Sequence, residues 1–184
     1  MENLKLFMLL LGCKPSGRHT EQHDVFFGIA ASLRDLIPEI QAFGPEPERI
    51  HIDAWREVNT VDGYKVEIKP RDNSIGQHSK LFFINLGGYQ PDKFEEQHYA
   101  VLTVQNDFAS ASKNAKETYF FKHNHFNGAN SHIDDKYGID VDDIYNVEDI
   151  LSATQKAEYQ IVLIPNTGLP EDKINLGYFK LSSL

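Results

Sequence analysis

The feature that most limits what this chain can fold into is that it spells one passage twice. Residues 5–27, KLFMLLLGCKPSGRHTEQHDVFF, fall on residues 80–102, KLFFINLGGYQPDKFEEQHYAVL, without a gap, and 8 of the 23 positions are identical. Unrelated segments of ordinary composition would share roughly one or two. A second block follows in the same order: HIDAWREVNTVDGYKVEI (51–68) falls on HIDDKYGIDVDDIYNVED (132–149), with 7 of 18 positions identical. The offset changes at the polar stretch FKHNHFNGANS (121–131), whose composition reads as a loop. A tandem duplication is therefore expected, with repeat units at 4–69 and 80–150, a linker at 70–79 (PRDNSIGQHS lies across it) and an unrepeated extension at 151–184.

The repeat decides how the N-terminus is read. MENLKLFMLLLGC resembles a bacterial lipoprotein signal that would be anchored at Cys13. The apolar run Leu6–Leu11 is shorter than the roughly 7–15 residues of a secretory core. Its counterpart LFFINLGG (81–88) lies deep in the chain, where it can only be structure, so the first strand is the preferred reading and the lipoprotein the alternative. A cytoplasmic location follows by default.

Each unit carries the same order of signals. A short apolar run ending in glycine (to Gly12, to Gly87) reads as a buried strand, with a positive φ expected at the glycine. His23–Ala30 and His98–Gln105 read as second strands. Ser32 and Asp107 are N-cap types ahead of helical stripes: Leu33, Leu36, Ile40 and Phe43 in one unit, Phe108, Ala111, Ala115 and Tyr119 in the other. Pro38 requires the first helix to kink or start late. Ile50–Val58 and Tyr64–Ile68, with counterparts near 132 and 144–150, complete a ββαββ-like unit. One helix covers only one face of such a sheet, so the two units are expected to pack as a pseudo-two-fold body of α+β class. EYQIVLI (158–164) and INLGYFKL (174–181) around PNTGLPED predict a C-terminal β-hairpin.

Composition narrows the partners. With 41% hydrophobic and 24% charged residues the chain is of globular type. A net charge of −9 and dispersed Lys and Arg argue against nucleic acid, and no membrane partner is expected. The single cysteine, Cys13, excludes an internal disulfide. A small molecule or a protein of unknown identity is left as the partner.

The strings LFMLLLGCKPSGRHTEQHDVFFGIA, HIDAWREV and DGYKVEI, and again LFFINLGG, EEQHY and HIDDKYGIDVDDIY, resemble the bacterial domain-of-unknown-function family 1543, here as two tandem copies. The resemblance covers most of residues 4–150 and implies neither an activity nor a cofactor.

The repeated polar residues are the candidates for a site: Glu21, Gln22 and His23 with Glu96, Gln97 and His98, and His51 and Asp53 with His132 and Asp134. On a strand, His23 shares a face with Val25, Phe27 and Ile29, and His51 shares one with Asp53 while Ile52 points to the core. Imidazole and carboxylate together suit a first-row metal or a general base with its orienter. The preferred reading is a set of structural hydrogen-bonders; no cofactor is preferred over a divalent metal, for which His23, His51, Asp53, His98, His132 and Asp134 are the candidate ligands. His123 and His125 read as solvated loop, and Asp134, Asp135, Asp140, Asp142 and Asp143 lack EF-hand spacing. Cys13 aligns with Gly88 and Trp55 with Lys136, so neither belongs to the repeated signature. GCKPSG and LGGYQPD match no phosphate-binding fingerprint.

Two functions remain. A non-enzymatic binding or interaction module is preferred, because no nucleophile or phosphate loop is present; a metal-assisted hydrolase using the repeated residues is the alternative. They separate on whether Glu-Gln-His and His-x-Asp meet in space.

Overall fold

The computed structural model of the chain describes residues 3–72, 74, 76–89, 92–117, 132–133 and 144–184, with backbone alone at 89, 132 and 133. The strands are β1 (Lys5–Cys13), β2 (Gln22–Ala30), β3 (His51–Glu57), β4 (Thr60–Val61), β5 (Tyr64–Pro70), β6 (Lys80–Tyr89), β7 (Glu96–Gln105), β8 (His132–Ile133), β9 (Ile144–Asn146), β10 (Tyr159–Pro165) and β11 (Asn175–Lys180). The helices are α1 (Ile37–Phe43), α2 (Phe108–Lys116), α3 (Val147–Ile150) and α4 (Ala153–Glu158). The class is α+β with antiparallel sheets, and the chain divides into two units: Met1–Ser74 with Leu151–Leu184, and Ile75–Ile150.

In the first unit β1 is an interior strand of a sheet ordered β11-β3-β1-β2. Its odd-numbered residues Phe7, Leu9, Leu11 and Cys13 face α1, where they bury with Phe26, Ile40, Ile50 and Ile52. Fully burying each large apolar side chain stabilises the unit by about 1.5–3 kcal/mol. On the opposite face Leu6, Phe27 and Ile29 are buried too. This double burial explains why the β1 sequence is a nearly continuous apolar run rather than an alternation. Pro38 is accommodated by a late start: Leu33–Leu36 is a 3-10 turn, and Pro38 falls in the first turn of α1, where its missing N–H costs nothing. Ser32 donates to Asp35 Oδ2 from both its N–H and its hydroxyl, which ties the entry of that turn.

The C-terminal segment departs from expectation. β10 pairs antiparallel along β5, and β11 pairs along β3, so the two strands belong to different sheets and the predicted hairpin is not formed. β5 offers β10 a register running from Tyr159↔Pro70 to Pro165↔Tyr64, in which Ile161 and Leu163 become buried. An isolated two-stranded hairpin is marginal in water and would give up that burial. The 144–150 region is likewise a strand only to Asn146 and helical from Val147, with Glu148 and Asp149 in the first turn, where the helix dipole favours acid. Gly12 and Gly87 do not terminate strands at positive φ; they lie inside β1 and β6, and the positive-φ glycines among the described residues are Gly17, Gly63 and Gly177.

In the second unit β6 pairs with β7 on one side and with β8 and β9 on the other. Phe82, Ile84 and Leu86 bury against Ala111 and Ala115 of α2 and against Ile144. Asp107 caps α2, accepting the Ser110 N–H at 2.7 Å, and that bond holds its carboxyl below the usual range. The backbone register of the first unit recurs here. Gly12 stands opposite His23 and His51, and Gly87 stands opposite His98 and His132. Tyr119, the loop at 121–131 with His123 and His125, and the aspartates from Asp134 to Asp143 lie outside the described residues.

Candidate metal centre

The site of the first unit is built on Gly12. Being opposite His23 on β2 and His51 on β3, it leaves a gap between two imidazoles on one face of the sheet. A Cβ at Gly12 would overlap His51 Nε2 and Asp53 Oδ2, so the absence of a side chain is what admits them. Asp53 arrives through a β-bulge. Leu10 pairs with Ala54 and Leu11 with Ile52, which leaves Asp53 as the extra residue on β3. Alternation from His51 keeps Ile52 in the core and Asp53 on the face of His51, and the bulge changes the faces only beyond Asp53. There it turns Trp55 to the α1 face, opposite Leu9, whereas unbroken alternation would have put Trp55 beside His51.

Four side chains meet over Gly12. His23 Nε2 lies 3.2 Å from Asp53 Oδ2 and 3.6 Å from Glu21 Oε2; His51 Nε2 lies 3.2 Å from Glu21 Oε1 and 3.3 Å from Asp53 Oδ1. Donor atoms of Glu21, His23 and Asp53 all fall within 4.8 Å of one another, close enough to share one ion. Among the described residues, the ion-pair partners of these two carboxylates are the two histidines and no Lys or Arg. The side chains grade from closed to open: His51 is 5% exposed, Asp53 26%, Glu21 41% and His23 45%.

The hydrogen bonding of this cluster is incomplete. Both ring nitrogens of His51 and Oδ2 of Asp53 are buried without a hydrogen-bond partner in the protein, although carboxylate oxygens stand 3.2–3.3 Å from Nε2. A buried polar atom left unpaired costs about 1–3 kcal/mol. The converging donor atoms of Glu21, His23 and Asp53 fit a divalent cation between them, and the unbonded Nε2 of His51 stands against both carboxylates beside that group. The mixed nitrogen and oxygen set suits Zn²⁺, Mn²⁺, Fe²⁺, Co²⁺ or Ni²⁺ better than the oxygen-seeking Ca²⁺ or Mg²⁺.

Not every candidate joins. Gln22 is opposite Cys13 and therefore on the α1 face, where it lines a cleft of about 400 Å³ with Leu11, Cys13, Asp24, Phe43 and Ile50. His23 also borders that cleft, while Glu21, His51 and Asp53 take no part in its lining. Burial, then the Glu46 carboxylate, push the Cys13 thiol upward, which keeps it protonated and a poor nucleophile. In the second unit Glu96, Gln97 and His98 stand on β7, and His98 Nδ1 is 3.3 Å from Asn85 Nδ2. His132 is across Gly87 from His98, its side chain and Asp134 being outside the described residues. Tyr178 escaped the sequence reading. Its ring packs on His51 with centroids 4.2 Å apart, and as it belongs to the unrepeated C-terminal segment no repetition pointed to it.

Among the described residues no helix is long and apolar enough to cross a membrane. A search of the curated proteins matches nothing. The crystal structure of a protein Il1583 from Idiomarina loihiensis has a similar fold, with a TM-score of 0.57 over 97% of each chain at 18% identity. Residues 18–68, the stretch that carries Glu21, His23, His51 and Asp53, match the family model described as Domain of Unknown Function (DUF1543).

Proposed function

We propose that the first unit is a divalent-cation-binding module in which Glu21, His23, His51 and Asp53 share one transition-metal ion. The observation that carries this is the buried, unbonded Nε2 of His51 facing Glu21 and Asp53 with His23 beside them. A dication there neutralises two carboxylates that no Lys or Arg balances among the described residues, and it gives the buried nitrogen a partner. The cation is the point at which the module takes an external ligand. A metal-assisted hydrolase is the second reading, favoured by the exposure of Glu21 and His23, which leaves one side of the ion to water.

We further propose that the chain is a tandem duplication of units 4–69 and 80–150, and that Glu96, His98, His132 and Asp134 are the counterpart set. The repeated strings and the shared register around Gly12 and Gly87 support it. The test is metal content by plasma mass spectrometry of untagged protein loaded with Zn²⁺, Mn²⁺ or Co²⁺ and dialysed. Stoichiometric metal that is lost in His51→Ala and Asp53→Asn supports the first site; a second equivalent lost in His132→Ala supports the counterpart. Wild-type protein that retains none of the three metals sinks the cation reading.

A further inference from the structure

We infer that Tyr178 is the positioning residue for His51 in the cation site, an inference that rests on the reading above. A metal-binding histidine is ordinarily held by a hydrogen bond from its second ring nitrogen, which fixes ring rotation and tautomer. His51 has no such bond, because Nδ1 is buried and unpartnered. What touches the ring instead is Tyr178, with centroids 4.2 Å apart and planes at 34°.

The placement follows from the strand order. β3 lies between β1 and β11, so His51 has Gly12 as its neighbour on one side and β11 on the other. Gly12 offers no side chain and Tyr178 offers a ring, and His51 accordingly leans over Gly12, its Nε2 occupying the space a Gly12 Cβ would need. Glu21 and Asp53 meet Nε2 in that position. β11 is shaped to deliver the ring. Leu176 pairs with Ala54 and Phe179 with Ile52, so Gly177 and Tyr178 together stand against the single bulged residue Asp53. Gly177, at φ 150°, takes the backbone conformation this irregularity needs. Tyr178 is itself 63% exposed, more than packing against the core would leave it, and the described ring contact it makes is with His51.

The test compares the full chain with Tyr178→Ala and Tyr178→Phe in two measurements: Co²⁺ affinity with its visible absorption spectrum, and the ring-proton resonances of His51 in metal-free protein, assigned through His51→Gln. Tyr178→Ala should weaken Co²⁺ by about 10-fold, as loss of outer-shell support does, and alter the spectrum, while Tyr178→Phe restores both. The His51 ring protons, shifted upfield by the tyrosine ring current, should move in the alanine variant and hold in the phenylalanine one. Unchanged affinity, spectrum and resonances in Tyr178→Ala would overturn the inference. Wild-type protein that takes up no Co²⁺ defeats the cation reading instead, and the metal-free resonances then still decide whether Tyr178 holds His51.

Discussion

At the scale of single residues, the position that governs the site is the one without a side chain. Gly12 looks in sequence like a turn residue, because glycine after an apolar run usually is one. In the fold it is a strand residue kept small by its two neighbours, since an added Cβ would come within 2.5 Å of Asp53 Oδ2 and overlap His51. Gly12→Ala should therefore abolish cation binding while lowering stability by only about 1 kcal/mol, the low end of overpacking costs, because the atoms in the way are side-chain ends. Metal titration and urea denaturation of the variant check this. Retention of wild-type affinity would mean that His51 and Asp53 do not crowd Gly12 as described. The repetition made the histidines and acids of this site visible, and it hid the reason for the glycine beside them.

At the scale of elements, alternation along β3 put His51 and Asp53 on one face correctly, and the bulge at Asp53 is what kept Trp55 from following them. A bulge has no signature in a seven-residue strand, since it arises from the partner's register. The exposed edge of β2 is handled in the same long-range way. Gln155 of α4, itself buried, accepts the Ile29 N–H at 2.9 Å and donates to the Ile29 carbonyl at 2.8 Å, serving as a one-residue substitute for a neighbouring strand. Gln155→Leu removes both bonds and strands two backbone groups, at a cost of about 2 kcal/mol. Hydrogen exchange should show the Ile29 amide losing its protection in the variant; if protection persists, the side chain is not what covers that edge.

At the scale of the whole molecule, the first unit closes only with Leu151–Leu184, which supplies β10 to β5, β11 to β3, Gln155 to Ile29 and Tyr178 to His51. Residues 1–74 produced alone are therefore expected to show no cooperative urea transition by circular dichroism, because β3 and β5 would each lose a partner and the unit would lack the buried side chains of Ile161, Leu163 and Leu181. A sharp transition in that fragment would show the C-terminal strands to be dispensable. The sequence by itself determined the order of the main strands and helices of 4–116, that Pro38 must kink the first helix or delay its start, and the residue types of the candidate site. Each of these is local, set by apolar period, capping residues and a doubled string. Only the tertiary structure decided that 159–180 splits between two sheets, that the helix at Pro38 starts late, that a bulge at Asp53 turns Trp55 away from His51, that Gln22 faces away and that Tyr178 packs on His51. All but the helix start depend on which open edge or empty space a distant segment fills, and a linear pattern carries no distance between segments far apart in the chain.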